Sequence, residues 1–105
     1  MDYPFTVVMT TCPNQEDTKK VTEALMRKKL AACIQRHDVQ STYWWEGEIE
    51  TDCEVRLMIK TRESLFEEIS AVIKAEVSYE NPQIVSVPIV QGSQDYLNWI
   101  DSAIS

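Results

Sequence analysis

The longest alternating stretch of the sequence runs from residue 48 to residue 60, and it constrains the fold more than any other feature. One face carries mostly apolar side chains: Ile49, Thr51, Cys53, Val55, Leu57 and Ile59. The other carries mostly charged side chains: Glu48, Glu50, Asp52, Glu54, Arg56, Met58 and Lys60. Because successive side chains of a β-strand point to opposite faces, this pattern predicts a strand well beyond the usual ~5–6 residues. We therefore expect its distal half to project beyond the core of one subunit.

The residues before this strand predict a strand, a helix and a second strand. Alternating β-branched residues predict a strand over 5–12, and Asn14 is placed to cap a helix over about 15–29. A second strand is predicted near 30–37 that resumes over 39–45, with a bend or bulge between its halves. Gly47 is the conformationally permissive residue of the hairpin turn that leads into the long strand.

The residues after the long strand predict a helix, a strand and a terminal helix. Ser64 and Glu67 have the spacing of a capping box, followed by apolar residues at helical spacing. The run over 84–90 contains Pro88, so this strand is expected at a sheet edge. Helical spacing predicts a final helix over 96–104 with an aromatic face. The order matches the α+β ferredoxin-like split βαβ sandwich, with a long β-hairpin ribbon and a C-terminal helix added.

The length of the chain bears on its organisation. With 105 residues, of which 44% are apolar, the chain is predicted to form one domain over 1–105. The ribbon and the aromatic tail would leave unpaired backbone and apolar surface in a monomer. We therefore expect neighbouring copies of the chain to cover them.

The net charge argues against two classes of binding partner, and the N-terminal residues indicate the cellular compartment. Seventeen acidic and ten basic residues give a net charge of -7, so neither nucleic acid nor a membrane surface is an expected partner. No apolar run approaches the ~20 residues of a bilayer span. Asp2 and no base precede the first apolar residues, which is not the pattern of a signal peptide, so we expect a cytoplasmic protein.

The side chains available for catalysis are few. Gly47 and Gly92 are the only glycines, so neither a P-loop nor a GxGxxG motif is present. His37 is the only histidine, and its position between Arg36 and Asp38 predicts a surface residue rather than a catalytic base. The sequence therefore does not predict an enzyme.

The three cysteines lie far apart without a CxxC pair, which predicts reduced thiols. Cys33 and Cys53 are interpreted as small buried apolar residues. Cys12, at a strand end beside a turn, is predicted to be the exposed thiol and the first candidate for a metal contact. Copies of Cys12 or His37 gathered around an axis between associated chains, or loose oxygen ligands from the acidic strand face, are alternative donor sets.

The stretch YWWEGEIETDCEVRLMIKT, from Tyr43 to Thr61, resembles the signature ribbon of CutA proteins, the divalent-cation tolerance family. The segment KLAAC, the pair Tyr79 and Pro82, and the segment DYLNWI follow in the family's order and approximate spacing. The resemblance covers nearly the whole chain. It implies a homotrimer of ferredoxin-like subunits, similar in outline to PII signalling proteins, with a non-enzymatic role in tolerance of divalent cations such as copper.

The resemblance also locates the family's copper ligands, and this sequence departs from them. The family's cysteine position falls on Thr10 and its histidine positions fall on Glu76 and Val77, so none of these ligands carries over. Cys12 follows Thr10 by two residues and shares its strand face, so it is the predicted substitute. The cofactor that the resemblance implies is a divalent cation such as copper.

A cleft between subunits is the second predicted site. Glu54 and Lys60 match the family pattern on one strand face, and four aromatic residues are predicted to line the cleft with them: Trp45, Tyr79, Tyr96 and Trp99. Interface packing accounts for the same residues, because interfaces are rich in tryptophan and tyrosine. The alternatives are a small ligand held between subunits, as in PII proteins, and a rigid trimeric scaffold whose partner docks on the acidic ribbon.

Overall fold

A four-stranded antiparallel sheet organises the computed structural model, which describes residues 2–105. The elements are β1 (Phe5–Cys12), α1 (Gln15–Arg27), β2 (Cys33–Trp45), β3 (Glu48–Arg62), α2 (Phe66–Glu76), β4 (Ile84–Pro88) and α3 (Gln94–Ala103). The strand order is β2-β3-β1-β4, and every neighbouring pair is antiparallel. This is the ferredoxin-like α+β arrangement, so the predicted fold class is confirmed.

The two faces of the sheet are covered differently. Helices α1 and α2 pack on one face and enclose a core that includes Val8, Val21, Leu25, Leu57, Ile59, Ile69 and Ile73. Helix α3 contacts β3 from the other face, where Lys60 donates a hydrogen bond to Tyr96 and Arg62 pairs with Asp101. We call this second side the open face, because Val85 and Val87 of β4 are exposed there.

Strands β2 and β3 pair without interruption, which corrects one prediction. Their register runs one to one from Cys33 opposite Lys60 to Trp45 opposite Glu48. The predicted bend or bulge near residues 36–38 is therefore wrong. The polar side chains that suggested it belong to an edge strand, where exposed polar residues are normal and do not interrupt the ladder.

The turn end of this hairpin projects beyond the core. Glu46 and Gly47 both have positive φ, 50° and 81°, as the central residues of a type I′ turn require. From residue 48 to residue 53, β3 is exposed on both faces, and from Val55 onward every second residue is buried. The predicted projection of the distal half is confirmed. Residues 40–53 are called the ribbon below.

The helix starts confirm one prediction and correct another. Asn14 caps α1, since its side chain accepts a hydrogen bond of 2.8 Å from the Asp17 backbone N–H. The predicted capping box at Ser64 is wrong: Ser64 lies within a 3₁₀ turn, Glu63–Leu65, and no side chain caps α2, which begins at Phe66. A capping motif is therefore insufficient where a tighter turn already orders the preceding residues.

Several boundaries differ from the predicted ones by a few residues. Helix α1 ends at Arg27, and Lys29, with φ of 55°, turns the chain toward β2. Strand β4 is an edge strand, as predicted, and ends at Pro88, where a proline leaves no ladder donor. Helix α3 begins at Gln94 behind the Ser93 cap, two residues before the predicted start. No helix within residues 2–105 has the length and apolar character needed to cross a membrane.

Candidate functional site

A cavity of about 470 Å³ lies between the ribbon and the loop that follows α2. Its lining residues are Thr11, Ser41, Tyr43, Trp44, Trp45, Glu54, Tyr79, Glu80, Asn81 and Gln83. We call it the aromatic pocket. The pocket brings together the hairpin and the α2–β4 loop, two regions that are well separated in the sequence.

Strand alternation places an aromatic row against an acidic row at this pocket. Ser41, Tyr43 and Trp45 are alternate residues of β2 and so share one face. Their direct partners on β3 are all acidic, with Tyr43 opposite Glu50 and Ser41 opposite Asp52. Tyr43 reaches past its direct partner and donates its hydroxyl proton to Asp52, a diagonal cross-strand contact that aromatic side chains are long enough to make.

Two phenol–carboxylate hydrogen bonds set the charge state of the pocket. The Tyr79 hydroxyl donates to Glu54 Oε2 at 2.5 Å. Burial and this hydrogen bond raise the pKa of Tyr79, and the hydrogen bond to Asp52 raises the pKa of Tyr43 to about 12. Both phenols therefore stay neutral donors at neutral pH, since a hydrogen bond to a carboxylate stabilises the protonated phenol.

Asp17 of α1 holds the loop that carries Tyr79. Its carboxylate accepts hydrogen bonds from the Ser78 backbone N–H at 2.9 Å and from the Ser78 hydroxyl at 2.7 Å, and Asp17 is only 6% exposed. The hydroxyl and the N–H of Ser78 lower the pKa of Asp17 below its ordinary 3.8. Sequence reasoning missed this contact, because nothing local relates Asp17 to a residue that lies beyond α2. Asp17 is thus a positioning residue for the pocket.

Replacing Asp17 with asparagine is expected to lower the free energy of unfolding at pH 7 by about 1–2 kcal/mol, because an amide oxygen accepts hydrogen bonds less strongly than a carboxylate. The folded-state pKa of Asp17 is depressed, so its contribution is full above about pH 4 and is lost as the pH falls through that lowered value. Urea unfolding from pH 7 to pH 2 should show the two proteins converging at low pH.

Ser78→Ala is the matched control for this linkage. It removes one of the two donors to Asp17, so its pH dependence should lie between those of the wild type and Asp17→Asn. A constant difference between wild type and Asp17→Asn at all pH values would contradict a depressed pKa at this carboxylate.

The structure separates the six predicted cleft residues into two groups within one chain. Three line the aromatic pocket: Trp45, Glu54 and Tyr79. The other three lie beside α3: Lys60, Tyr96 and Trp99. There the Lys60 ammonium is 3.3 Å from the Tyr96 hydroxyl, and the Tyr96 and Trp99 ring centroids are 5.6 Å apart. Glu54 and Lys60 are about 20 Å apart along β3 at the usual strand rise. A single cleft between subunits stays a prediction.

Two of the three cysteines lie in environments opposite to the predicted ones. Cys12 is 0% exposed, so the prediction that it is the exposed thiol is wrong. The end of β1 lies under the core helices, and this burial raises the pKa of the Cys12 thiol, which disfavours the thiolate that binds metals. Cys53, predicted to be buried, is exposed because it lies on the ribbon, and Cys33 is half-buried. A metal contact at Cys12 stays a prediction.

The donor atoms of one chain do not form a copper site. Within residues 2–105, no three histidine, cysteine, aspartate or glutamate side chains lie close enough together to hold a metal ion. The ring of His37 contacts the Arg56 guanidinium, a cation that disfavours a metal ion there. Thr10, at the family's cysteine position, is buried and offers only a hydroxyl.

The fold and the pocket together define a class: ferredoxin-like α+β proteins with a projecting hairpin and an aromatic, acidic pocket beside it. Residues 6–103 match the model of the CutA1 family, described as the CutA1 divalent ion tolerance protein. This chain belongs to that family, and the resemblance noted in its sequence is confirmed.

Relatives and solved structures agree on this membership. The chain is 38% identical to the divalent-cation tolerance protein CutA of Archaeoglobus fulgidus, over 90% of this chain and 92% of that protein. It is 40% identical to the chloroplastic CutA 1 of Oryza sativa subsp. japonica, over 95% of this chain but only 57% of the rice protein. A solved structure described as the periplasmic divalent cation tolerance protein CutA of A. fulgidus superposes with a TM-score of 0.93, over 96% of this chain and 99% of that one, at 36% identity.

Proposed function

We propose that this chain forms a homotrimer in the cytoplasm that acts, without catalysis, in tolerance of divalent cations, copper among them. The family's description and the printed names of its relatives support the tolerance role. The observation that carries the assembly is the ribbon, whose large apolar side chains remain largely exposed in a single chain.

Large apolar side chains of the ribbon are exposed to solvent in a single chain. Trp44 is 72% exposed, its direct cross-strand partner Ile49 is 61% exposed, and Trp45 is 40% exposed. A two-stranded hairpin is only marginally stable in water by itself, and clustered exposed apolar side chains mark association surfaces. A neighbouring copy of the chain supplies both the cover and the partner for the free strand edge.

Charge along β3 favours pairing between copies. On the open face, Asp52 and Glu54 of the distal half give way to Arg56, Lys60 and Arg62 near the base. An acidic ribbon from one copy therefore meets a basic sheet end on another, and such complementarity orients subunits. Sedimentation equilibrium at micromolar concentration tests the assembly: we expect three times 12.1 kDa, and a stable monomer would refute it.

Within this proposal, contact with copper needs donors from more than one subunit, since residues 2–105 of one chain supply no cluster of metal ligands. The predicted thiol donor is Cys12, and elemental analysis of the purified assembly alongside Cys12→Ser tests it. Copper that copurifies with the wild type and is lost in Cys12→Ser would support the thiol, whereas equal copper in both proteins would exclude Cys12. Cys53→Ser is the control, because it removes an exposed thiol of the same chemistry.

A second candidate function is binding of a small ligand at the aromatic pocket, in the manner of a PII-like module. Its support is the cavity itself, whose volume of about 470 Å³ falls within the range of small-molecule sites, ~300–1,000 Å³. Apolar walls with a few oriented polar groups are typical of such sites. A ligand that binds the folded state must raise the melting temperature, so thermal-shift screening with small molecules tests this function.

A further inference from the structure

We propose that the ligand of the aromatic pocket is a small organic cation, an ammonium group held between aromatic ring faces and carboxylates. This inference rests on the proposed ligand-binding function of the pocket. It adds the chemical class of the ligand, which follows from the charge, the hydrogen bonding and the wall chemistry of the lining residues.

The charge of the pocket is negative, and no ion pair among the described residues balances it. Glu54 and Glu80 are in the lining, and no lining residue is basic. The ion pairs among residues 2–105 join Lys19 to Glu23, Lys20 to Glu16 and Arg62 to Asp101, so none involves a pocket carboxylate. The next base along the strand face of Glu54 is Arg56, and its guanidinium contacts His37 instead. An organic cation is therefore attracted electrostatically to the pocket carboxylates.

The two phenol donors of the pocket are already committed. The Tyr79 hydroxyl donates to Glu54, and the Tyr43 hydroxyl donates to Asp52. Each phenol has a single proton to give, so neither offers it to a ligand. What the two tyrosines offer a ligand is therefore their aromatic rings and acceptor oxygens, which suit a cation better than an anion. Asn81 and Gln83 also line the pocket and carry donors, so the preference for a cation rests on the tyrosines and the carboxylates.

The aromatic walls select an organic cation over a bare metal ion. Tyr43, Trp44, Trp45 and Tyr79 all line the cavity, and the faces of tryptophan and tyrosine attract ammonium groups by about 0.5–2 kcal/mol each. Calcium requires six to eight oxygen ligands at close range, which aromatic walls do not supply. The cavity of about 470 Å³ leaves room for alkyl groups on the nitrogen, and these groups gain from contact with the rings.

Isothermal titration of the purified protein with choline tests the inference, with 3,3-dimethylbutan-1-ol as the uncharged probe of the same shape. We expect choline to bind at least about tenfold more tightly than the alcohol, because only the cation gains from ring faces and carboxylates. Glu54→Gln, which keeps the shape and removes the charge, and Trp45→Ala should each weaken choline binding by about tenfold. Glu23→Gln makes the same charge change on the exposed surface of α1 and should leave binding unchanged.

The outcomes separate this inference from the function on which it rests. Equal binding of choline and the alcohol, or choline binding that neither pocket variant weakens, would overturn the cationic class. Binding of phosphate or ATP that is lost in Trp45→Ala, without choline binding, would overturn it too while keeping the pocket as a ligand site. If none of these probes binds and no compound of the thermal-shift screen raises the melting temperature, both the inference and the second candidate function are overturned.

Discussion

Replacing both Trp44 and Ile49 with glutamate is expected to convert the assembly into single chains of 12.1 kDa. These two side chains are direct cross-strand partners and the most exposed aromatic and aliphatic residues of the ribbon. Buried tryptophans at interfaces contribute about 2 kcal/mol or more, so losing both side chains should weaken association by roughly a thousandfold. Two added acids next to Glu48 and Glu50 also repel a partner. Sedimentation equilibrium measures the mass.

The ribbon variant should keep its secondary structure, because the core is formed by other residues. An unchanged far-UV circular dichroism spectrum would show that the loss of mass is not a loss of fold. Met26→Glu is the matched control: it places an acid at an exposed apolar position of α1, and it should still sediment at three times the chain mass. A ribbon variant that sediments like the wild type would contradict the assembly proposed here.

Replacing Leu57 with alanine is expected to lower the free energy of unfolding by about 2–5 kcal/mol. Leu57 is fully buried in β3, where it belongs to the core shared with α1 and α2. Its truncation to alanine removes three buried carbons, one methine and two methyl groups, and leaves a cavity into which the close-packed core does not easily collapse. Urea unfolding at one fixed protein concentration measures the change, since the stability of an oligomer depends on concentration.

Met26→Ala is the comparison for Leu57→Ala. It also truncates a large apolar side chain to alanine, but on the exposed surface of α1, and surface changes of this kind usually stay within about 0.5 kcal/mol. Equal effects of the two substitutions would contradict the placement of Leu57 in the core.

Local sequence patterns determined most elements of this fold. Alternation from residue 48 to residue 60 predicted the long strand and its projection, Asn14 predicted the start of α1, and Gly47 predicted the hairpin turn. Pro88 predicted an edge strand. Each of these signals reflects a backbone or side-chain preference within a few residues, so a single sequence carries it in full.

The exposure of the cysteines is a property that local sequence patterns did not predict correctly. Alternation correctly placed Cys53 on the face of Leu57 and placed Cys12 on the face of Thr10. It does not indicate how far along each strand the helices extend, so Cys53 was expected to be buried and Cys12 to be exposed. The structure shows the opposite, since α1 and α2 cover the end of β1 and stop short of the ribbon.

The order of the elements and the alternation of apolar and charged side chains along β3 could be predicted from the sequence, because strand and helix periodicity is local. The motif from Tyr43 to Thr61 likewise indicated the family. The aromatic pocket, in contrast, follows from the packing of distant segments. The hydrogen bond from Tyr79 to Glu54 and the anchoring of Ser78 on Asp17 join residues from different elements. Such contacts depend on how helices and loops pack on the sheet, and packing is a property of the whole chain that no local period encodes.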